Sequence, residues 1–283
     1  MRSCISVLIC KGGAVRTAKH FAVRPGQHLR LKDVDPDCTD GIRGRDRAEL
    51  LLQDNIKRLN DLQYRLYAEH RQSLLIILQG MDASGKDGTI RHVMSGLNPQ
   101  GCNVCPFKAP SPEELSHDYL WRIHRALPAR GHIGIFNRSH YEDVLAVRVH
   151  NLAPVSVWSR RYEQINRFEK MLVEEGTTIL KFFLHISSDE QKRRLQDRLA
   201  DPSKNWKFTM SDIDDRSLWK DYQEAYVDVL RRCSTPWAQW YVIPANHKWF
   251  RNVTVSTIIC DTLKAMDPRI PRPKMDLRRI RIT

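Results

Sequence analysis

The sequence predicts an α/β protein whose core is a doubly wound sheet of five parallel strands. Five short runs consist mostly of Leu, Ile, Val and Phe without polar alternation, which is typical of strands buried on both faces of a parallel sheet. Segments with helical spacing of apolar residues separate these runs, so that strands and helices alternate along the chain and right-handed crossovers follow. The predicted strands span residues 73–79, 102–107, 132–136, 178–186 and 240–244.

Helices are predicted before, between and after these strands. The first spans 46–70, where leucine and isoleucine recur at roughly helical spacing. The later ones span 86–96, 112–126, 141–149 with 157–175, 188–199 with 212–233, and 253–265. We expect residues 46–270 to form one domain, preceded by a basic arm (1–45) that packs on it or is partly disordered, and followed by a basic tail (271–283).

Composition narrows the classes of function. Apolar residues make up 41% of the 283-residue chain, enough for a sizeable core, and no run of 18 apolar residues or signal peptide is evident, so we expect a cytoplasmic protein without a membrane span. The 46 Lys and Arg exceed the 33 Asp and Glu by 13, which favours polyanionic partners: nucleic acid, an anionic membrane surface or phosphorylated substrates. A basic surface without a specific ligand is the alternative.

The single CxxC, Cys102 and Cys105, lies on a predicted strand where residues three apart face opposite sides, so no metal or redox role is expected.

A phosphate-binding loop follows the first strand. Gly80 to Lys86 matches G-x4-G-K, in which glycines let backbone N–H groups face phosphates, the next helix offers its N-terminus and the lysine adds positive charge. Asp87 stands where a magnesium-binding Ser or Thr is usual, so Asp82 is the candidate ligand for Mg²⁺, with Mn²⁺ possible. A glycine-rich turn without a ligand is the alternative. The other loop residues predicted to bind substrate are Ala83, Ser84, Gly85, Asp87, Gly88 and Thr89.

A second polar cluster follows the predicted strand 132–136. Ligands in open α/β sheets bind beyond the carboxyl ends of strands. Arg138 could neutralise a transferring phosphoryl group, Asn137 could contact substrate, and Glu142 and Asp143 could bind metal or substrate. The cluster could also be a helix start whose acids favour the helix dipole, and both interpretations can hold together.

Residues 188–215 form a candidate basic lid. Arg194 and Arg198 lie four apart and share one helix face, and Lys204 and Lys207 follow. Many phosphoryl-transfer enzymes close an arginine-bearing lid over the phosphates, which excludes water and stabilises the transition state. The alternative is a solvated basic helix. Arg91 and Lys108 extend the same basic rim.

Taken together, these motifs resemble the polyphosphate kinase 2 family over residues 22–269. Several independent motifs occur in order, and this makes the resemblance specific. They are Gly80 to Thr89, Asn98-Pro-Gln-Gly101, Phe107-Lys108, Phe136-Asn-Arg-Ser139, the lid run ending Asp201-Pro202, Trp206-Lys207, Leu218-Trp219 and Lys248-Trp-Phe250. Two departures are Ser84, where many members have Ala, and His140, where Tyr or Trp is common.

The resemblance implies a thymidylate-kinase-like, three-layer P-loop kinase fold with a helical lid, and magnesium-dependent transfer between inorganic polyphosphate and a nucleotide. Asp82 matches the family's essential loop aspartate. Lys86, Arg138 and Arg194 or Arg198 match phosphate-binding positions. Glu142 matches a position that varies between subgroups, and an acid there resembles the subgroup that acts on both AMP and ADP.

The sequence therefore predicts a polyphosphate-dependent kinase that converts AMP and/or ADP to ADP and ATP, with Asp82, Lys86, Arg138 and Arg194 as catalytic residues. We expect a homo-oligomer, either dimer or tetramer, without a nucleic-acid or membrane partner. Two alternatives stay open: an ATP-dependent nucleoside or nucleotide kinase of the same fold, and a basic nucleic-acid-binding module with a degenerate loop. The second would show salt-dependent duplex binding and no phosphoryl transfer.

Overall fold

A computed structural model describes residues 20–277 and 280–281, and its centre is a five-stranded, all-parallel sheet. The strand order is β2-β3-β1-β4-β5, so that the first strand lies in the middle. This confirms the predicted fold class, and every strand lies within one residue of its predicted bounds. The strands are β1 (Ser73–Gln79), β2 (Cys102–Pro106), β3 (Ile133–Asn137), β4 (Thr177–His185) and β5 (Trp240–Pro244).

The helices differ from the predicted ones mainly where a predicted helix is interrupted. The ten α-helices of the described residues are α1 (Arg45–Glu69), α2 (Lys86–Val93), α3 (Pro112–Leu115), α4 (Trp121–Arg125), α5 (Ala146–Val149), α6 (Val155–Glu174), α7 (Ser188–Ala200), α8 (Met210–Ser217), α9 (Trp219–Arg232) and α10 (Lys248–Met266). The predicted helix 112–126 breaks in two because the Asp118 carboxylate accepts from the Leu120 N–H, a local bond that competes with the helical one. The predicted helix 141–149 instead starts as a 3-10 turn, His140–Asp143.

Helices cover both faces of the sheet, which gives the three layers. Alternate residues of β1 belong to two separate cores, as the period of a strand requires. Leu74 and Ile76 pack with α1, α2 and α10, whereas Leu75 and Ile77 pack with α4, α6 and α9. No helix of the described residues is long and apolar enough to cross a membrane.

Residues 20–44 lie against the open edge of the sheet. Ala22 forms an antiparallel bridge with Tyr241 of β5, and the Val23 N–H donates to the Trp240 carbonyl at 2.7 Å. Val23 and Leu31 are buried in the core. This segment covers the free hydrogen-bonding groups of an edge strand.

Residues 1–19 and the end of the predicted tail lie outside the described residues, and the division into arm, domain and tail stays a prediction.

Candidate active site

The loop between β1 and α2 is wound tightly against the end of the sheet. Gly80 has φ +152°, and a Cβ at this position would lie 2.8 Å from the Leu184 carbonyl oxygen, so only glycine fits. Ala83 also lies in the left-handed region, with φ +60°. Lys86 is buried, and its Nζ donates to the Gly80 carbonyl at 2.7 Å. The side chain of Lys86, the lysine predicted to bind phosphate, therefore folds back onto the first residue of the loop.

Asp82 and Arg138, predicted from separate motifs, meet directly. Arg138 follows β3, has φ +64°, and donates from its backbone N–H to the Leu78 carbonyl of β1 at 3.0 Å. Its Nη2 donates to Asp82 Oδ1 at 2.6 Å. Burial alone would raise the pKa of Asp82, but the charges of Lys86 and Arg138 outweigh it and hold the pKa below its ordinary value. Asp82 is therefore a carboxylate set between two cations.

A second acid, Asp215 of α8, lies beside Asp82 and was not singled out from the sequence. The two carboxyl groups lie close enough that each affects the pKa of the other. The Tyr222 hydroxyl donates to Asp215 Oδ1 at 3.0 Å, and His150 Nε2 lies 2.7 Å from the same oxygen. Burial, and then the charge of Asp82, raise the pKa of Asp215. No sequence signal distinguishes it from its neighbour Asp214, because both belong to one acidic stretch of a lid helix.

The oxygen atoms at this point suit a hard divalent cation. Two adjacent carboxylates repel each other unless a proton or a cation lies between them. No group of three or more His, Cys, Asp or Glu side chains among the described residues could hold a metal alone. Mg²⁺ normally needs only one or two carboxylates together with substrate phosphates and waters, so Asp82 with Asp215 fits it.

The two acids of the 3-10 turn after β3 diverge. The charge of Glu142 acts on both Lys86 and Arg138, which places it beside the loop. Asp143 instead accepts from Arg161 Nη1 at 2.9 Å, and burial raises its pKa to about 6 although Arg161 opposes the shift. The Asp143 carboxylate is thus paired with Arg161 of α6, and its predicted metal-binding role stays a prediction.

A buried ionic network holds this turn in place. Lys181 of β4 and Glu169 of α6 are fully buried, with Nζ 2.5 Å from Oε2. The Tyr141 hydroxyl donates to Glu169 Oε1 at 2.8 Å, and His140 Nε2 lies 3.3 Å from the same oxygen. His140, one of the two departures from the family pattern, therefore supports the turn from behind and does not face the loop.

Arg194 is placed differently from its predicted role. All five of its N–H groups donate within the protein: Nε to Glu190 Oε1 at 2.6 Å, and the other four to backbone carbonyls. These carbonyls belong to Ala83, Ser84, Ala245 and Asn246, at 2.9, 3.0, 2.6 and 2.9 Å. A guanidinium has five donors, so none is left for phosphate. The direct catalytic contact predicted for Arg194 is not supported, and its position indicates a clamp on the loop.

The remaining lid cations divide into two groups. Lys207 reaches across to Asp87 of α2, with Nζ 3.2 Å from Oδ2, while Asn137 donates to Asp87 Oδ1 at 2.8 Å. Arg198 and Lys204 pair inside the lid, with Asp212 and Asp201. Asp87 therefore joins the lid to the loop helix and to the end of β3.

The other predicted binding residues lie around the loop and differ in exposure and in hydrogen-bond partners. The Ser84 hydroxyl is buried and has no hydrogen-bond partner among the described residues. Thr89 donates from its hydroxyl to the Gly85 carbonyl at 3.1 Å, so it stabilises the first turn of α2. Gly88 packs beside the Arg251 guanidinium. Arg91 and Lys108 are exposed, and their contact with substrate stays a prediction.

The chain is similar to known proteins over most of its length. The family model described as polyphosphate kinase 2 (PPK2) matches residues 43–271. The chain is 53% identical to an AMP/ADP-polyphosphate phosphotransferase of Meiothermus ruber, over 90% of this chain and 96% of that protein. It is 43% identical to an ADP-polyphosphate phosphotransferase of Rhodopseudomonas palustris, over 89% and 92% of the two chains.

A solved structure extends the likeness to three dimensions. The crystal structure of polyphosphate kinase 2 from Arthrobacter aurescens TC1 superposes with a TM-score of 0.89 at 43% identity, covering 93% of this chain and 94% of that one. Sequence similarity and fold thus agree over almost the whole length. The chain belongs to the polyphosphate kinase 2 family.

Proposed function

We propose that the protein transfers the terminal phosphoryl group of inorganic polyphosphate to AMP and ADP, reversibly, giving ADP and ATP. The observation that carries this proposal is the Asp82–Arg138 pair at 2.6 Å, set inside the loop beside Lys86. An acid held among phosphate-binding cations is suited to a metal-bridged phosphate chain. The relatives named for AMP/ADP and ADP support the choice of acceptors.

The residues would divide the work as follows. Lys86 would leave the Gly80 carbonyl and, with Arg138, stabilise the charge on the equatorial oxygens of the transferring group. A nucleotide phosphate is already anionic at neutral pH, so no strong general base is needed, and Asp82 would hold a metal and orient the phosphates. Mg²⁺ bound at Asp82 and Asp215, with Glu142 nearby, would supply charge neutralisation between donor and acceptor. Closure of the lid segment would exclude water.

The test is an assay of the wild-type protein with polyphosphate and magnesium, with AMP or ADP added separately and the nucleotides followed. We expect Asp82→Asn and Lys86→Ala to lower turnover roughly 10²- to 10³-fold, because each removes a group that acts on the transition state. Asp54→Asn and Lys57→Ala, which change the same residue types on the exposed face of α1, should leave turnover unchanged.

Near-normal ATP synthesis from polyphosphate and ADP in either site variant would rule out this mechanism. Phosphorylation of nucleosides by ATP, with no reaction of polyphosphate in the wild type, would favour the ATP-dependent alternative instead.

A further inference from the structure

Arg251 of α10 is buried against the outer side of the phosphate loop and touches the loop backbone. Its side chain lies among buried residues, and Nη1 donates to the Ser84 carbonyl at 3.3 Å. A Cβ on Gly85 would lie 1.9 Å from the same nitrogen, and Gly85 has φ +102°. The guanidinium therefore occupies the space that any side chain at Gly85 would fill, and only backbone separates it from the inner face of the loop.

This buried cation has no acidic partner among the residues that the structure describes. Its Nε and Nη2 donate to the amide oxygen of Asn252 at 3.2 and 2.9 Å, which is a neutral acceptor. A second cation, Arg194, lies close by: it donates to the same Ser84 carbonyl at 3.0 Å, and its own acidic partner is Glu190. Burial lowers the pKa of Arg251 to about 9, and the charge of Arg194 adds to the effect.

An unpaired charge in a buried position destabilises the protein unless something supplies the opposite charge. Asp82, the acid inside the loop, is already matched with Lys86 and Arg138, as its depressed pKa shows. A phosphate chain lying in the loop would bring several negative charges close to Arg251, because no side chain lies between the guanidinium and the loop backbone at Gly85. Phosphate bound in the loop would supply the negative charge that Arg251 lacks.

We propose that Arg251 is a positioning residue for the phosphate donor, acting through the loop backbone and not by contact with substrate. The inference rests on the proposed function, in which a polyphosphate occupies the loop. Arg251 holds the Ser84–Gly85 backbone in shape and raises the affinity of the loop for phosphate by its charge. Arg194 of α7 donates to the same carbonyl, so that two guanidinium groups hold the Ser84 peptide.

The test compares Arg251→Met with Arg251→Lys. In the absence of ligand, the methionine variant should unfold at the same temperature as the wild type or higher, because a buried uncompensated charge is gone. Inorganic triphosphate should raise that temperature less than in the wild type, and its dissociation constant should increase roughly tenfold or more. The lysine variant, which keeps the charge, should bind triphosphate nearly as the wild type does.

The matched control is Lys264→Met, which removes one exposed charge from the same helix, about 20 Å from Arg251 at 1.5 Å per residue. It should leave triphosphate binding unchanged. A merely structural role for Arg251 predicts the opposite pattern: a lower unfolding temperature without ligand and an unchanged dissociation constant. That pattern would overturn the proposal, as would an Arg251→Met protein that does not fold while Arg251→Lys does.

Failure of the proposed function is distinguishable from failure of this inference. If the wild type binds triphosphate in an Arg251-dependent way but does not transfer phosphate from polyphosphate, the function is wrong and the role of Arg251 stands. If the wild type transfers phosphate from polyphosphate and Arg251→Met binds triphosphate equally well, the role of Arg251 is wrong and the function stands.

Discussion

Ala83 and Arg138 adopt the left-handed backbone region although neither is glycine, and Arg138 bonds to Asp82, the residue before Ala83. Such conformations are disfavoured and persist only where the surrounding structure enforces them. For Arg138 the enforcement is visible: its N–H bonds to β1, and its side chain is held by Asp82. The backbone thus directs one guanidinium at one carboxylate before any ligand is bound.

At the same scale, Asp215 is predicted to matter for metal binding. We expect Asp215→Asn to raise the magnesium concentration needed for half-maximal activity roughly tenfold, because Asp82 would lose the second carboxylate beside it. The measurement is a magnesium titration of turnover at saturating polyphosphate and ADP. Asp214→Asn, an exposed neighbour on the same helix, is the control. Identical magnesium curves for the two variants would contradict the role of Asp215.

At the scale of elements, the lid is held to the loop helix by a contact that is weak enough to open. The Lys207–Asp87 ion pair is partly solvated, with side chains 37% and 64% exposed, so screening limits its contribution to less than about 1 kcal/mol. By contrast, Arg194 joins α7 to the loop through buried bonds to backbone. The part of the lid formed by α7 is therefore fixed, whereas the segment around Lys207 can release.

We expect Asp87→Asn to change the free energy of unfolding by less than about 1 kcal/mol, and yet to speed amide hydrogen exchange of residues 204–209 several-fold. The reason is that the pair joins two elements without contributing to the core. Lys204→Gln is the matched control, since it breaks an ion pair that lies within the lid. Equal exchange rates in the two variants would mean that Asp87 does not restrain the lid.

At the scale of the whole molecule, residues 20–44 close the fold by packing across β5 and onto the end of β4. His185, the last residue of β4, donates from Nε2 to the Val34 carbonyl at 3.1 Å. Its Nδ1 is buried and has no partner among the described residues, so a proton there would be left without an acceptor. Burial accordingly lowers the pKa of His185 to about 4, against the weaker effects of the Val34 and Leu31 carbonyls and of Asp35.

This shift predicts a loss of stability in acid. Between pH 6.5 and 4 the unfolded chain binds a proton at His185 that the folded chain does not. The contribution of neutral His185 to the free energy of unfolding is therefore fully present above pH 6.5 and is lost as the pH falls towards 4. From pH 7.5 to 5.5, the free energy of unfolding of the wild type should fall by about 1.4 kcal/mol more than that of His185→Gln.

Denaturant unfolding at the two pH values measures this difference. The raised pKa of Asp143 makes the free energy of unfolding change with pH in the opposite direction. Both proteins contain Asp143, so its effect cancels in the comparison. Parallel pH profiles of the wild type and His185→Gln would show that His185 is not the responsible group.

The order of elements and the residues at the ends of β1 and β3 could be read from the chain. Continuous apolar runs signal buried parallel strands, and G-x4-G-K after such a run signals a phosphate loop, since both patterns are local. Asp82, Lys86 and Arg138 were identified in this way. Helix interruptions such as the one at Asp118 were not, because a side-chain bond to the nearby backbone decides them.

The sequence by itself therefore determined the fold class, the family and the residues of the phosphate loop. Each of these follows from patterns that are local, within a short stretch of the chain. The tertiary structure alone decided which charges meet. It turned Arg194 into a clamp and Asp143 towards Arg161, placed Asp215 beside Asp82, and buried Arg251 behind Gly85. The physical reason is that the role of a charged side chain depends on which partners reach its donors and acceptors. Those partners come from elements that are distant in sequence.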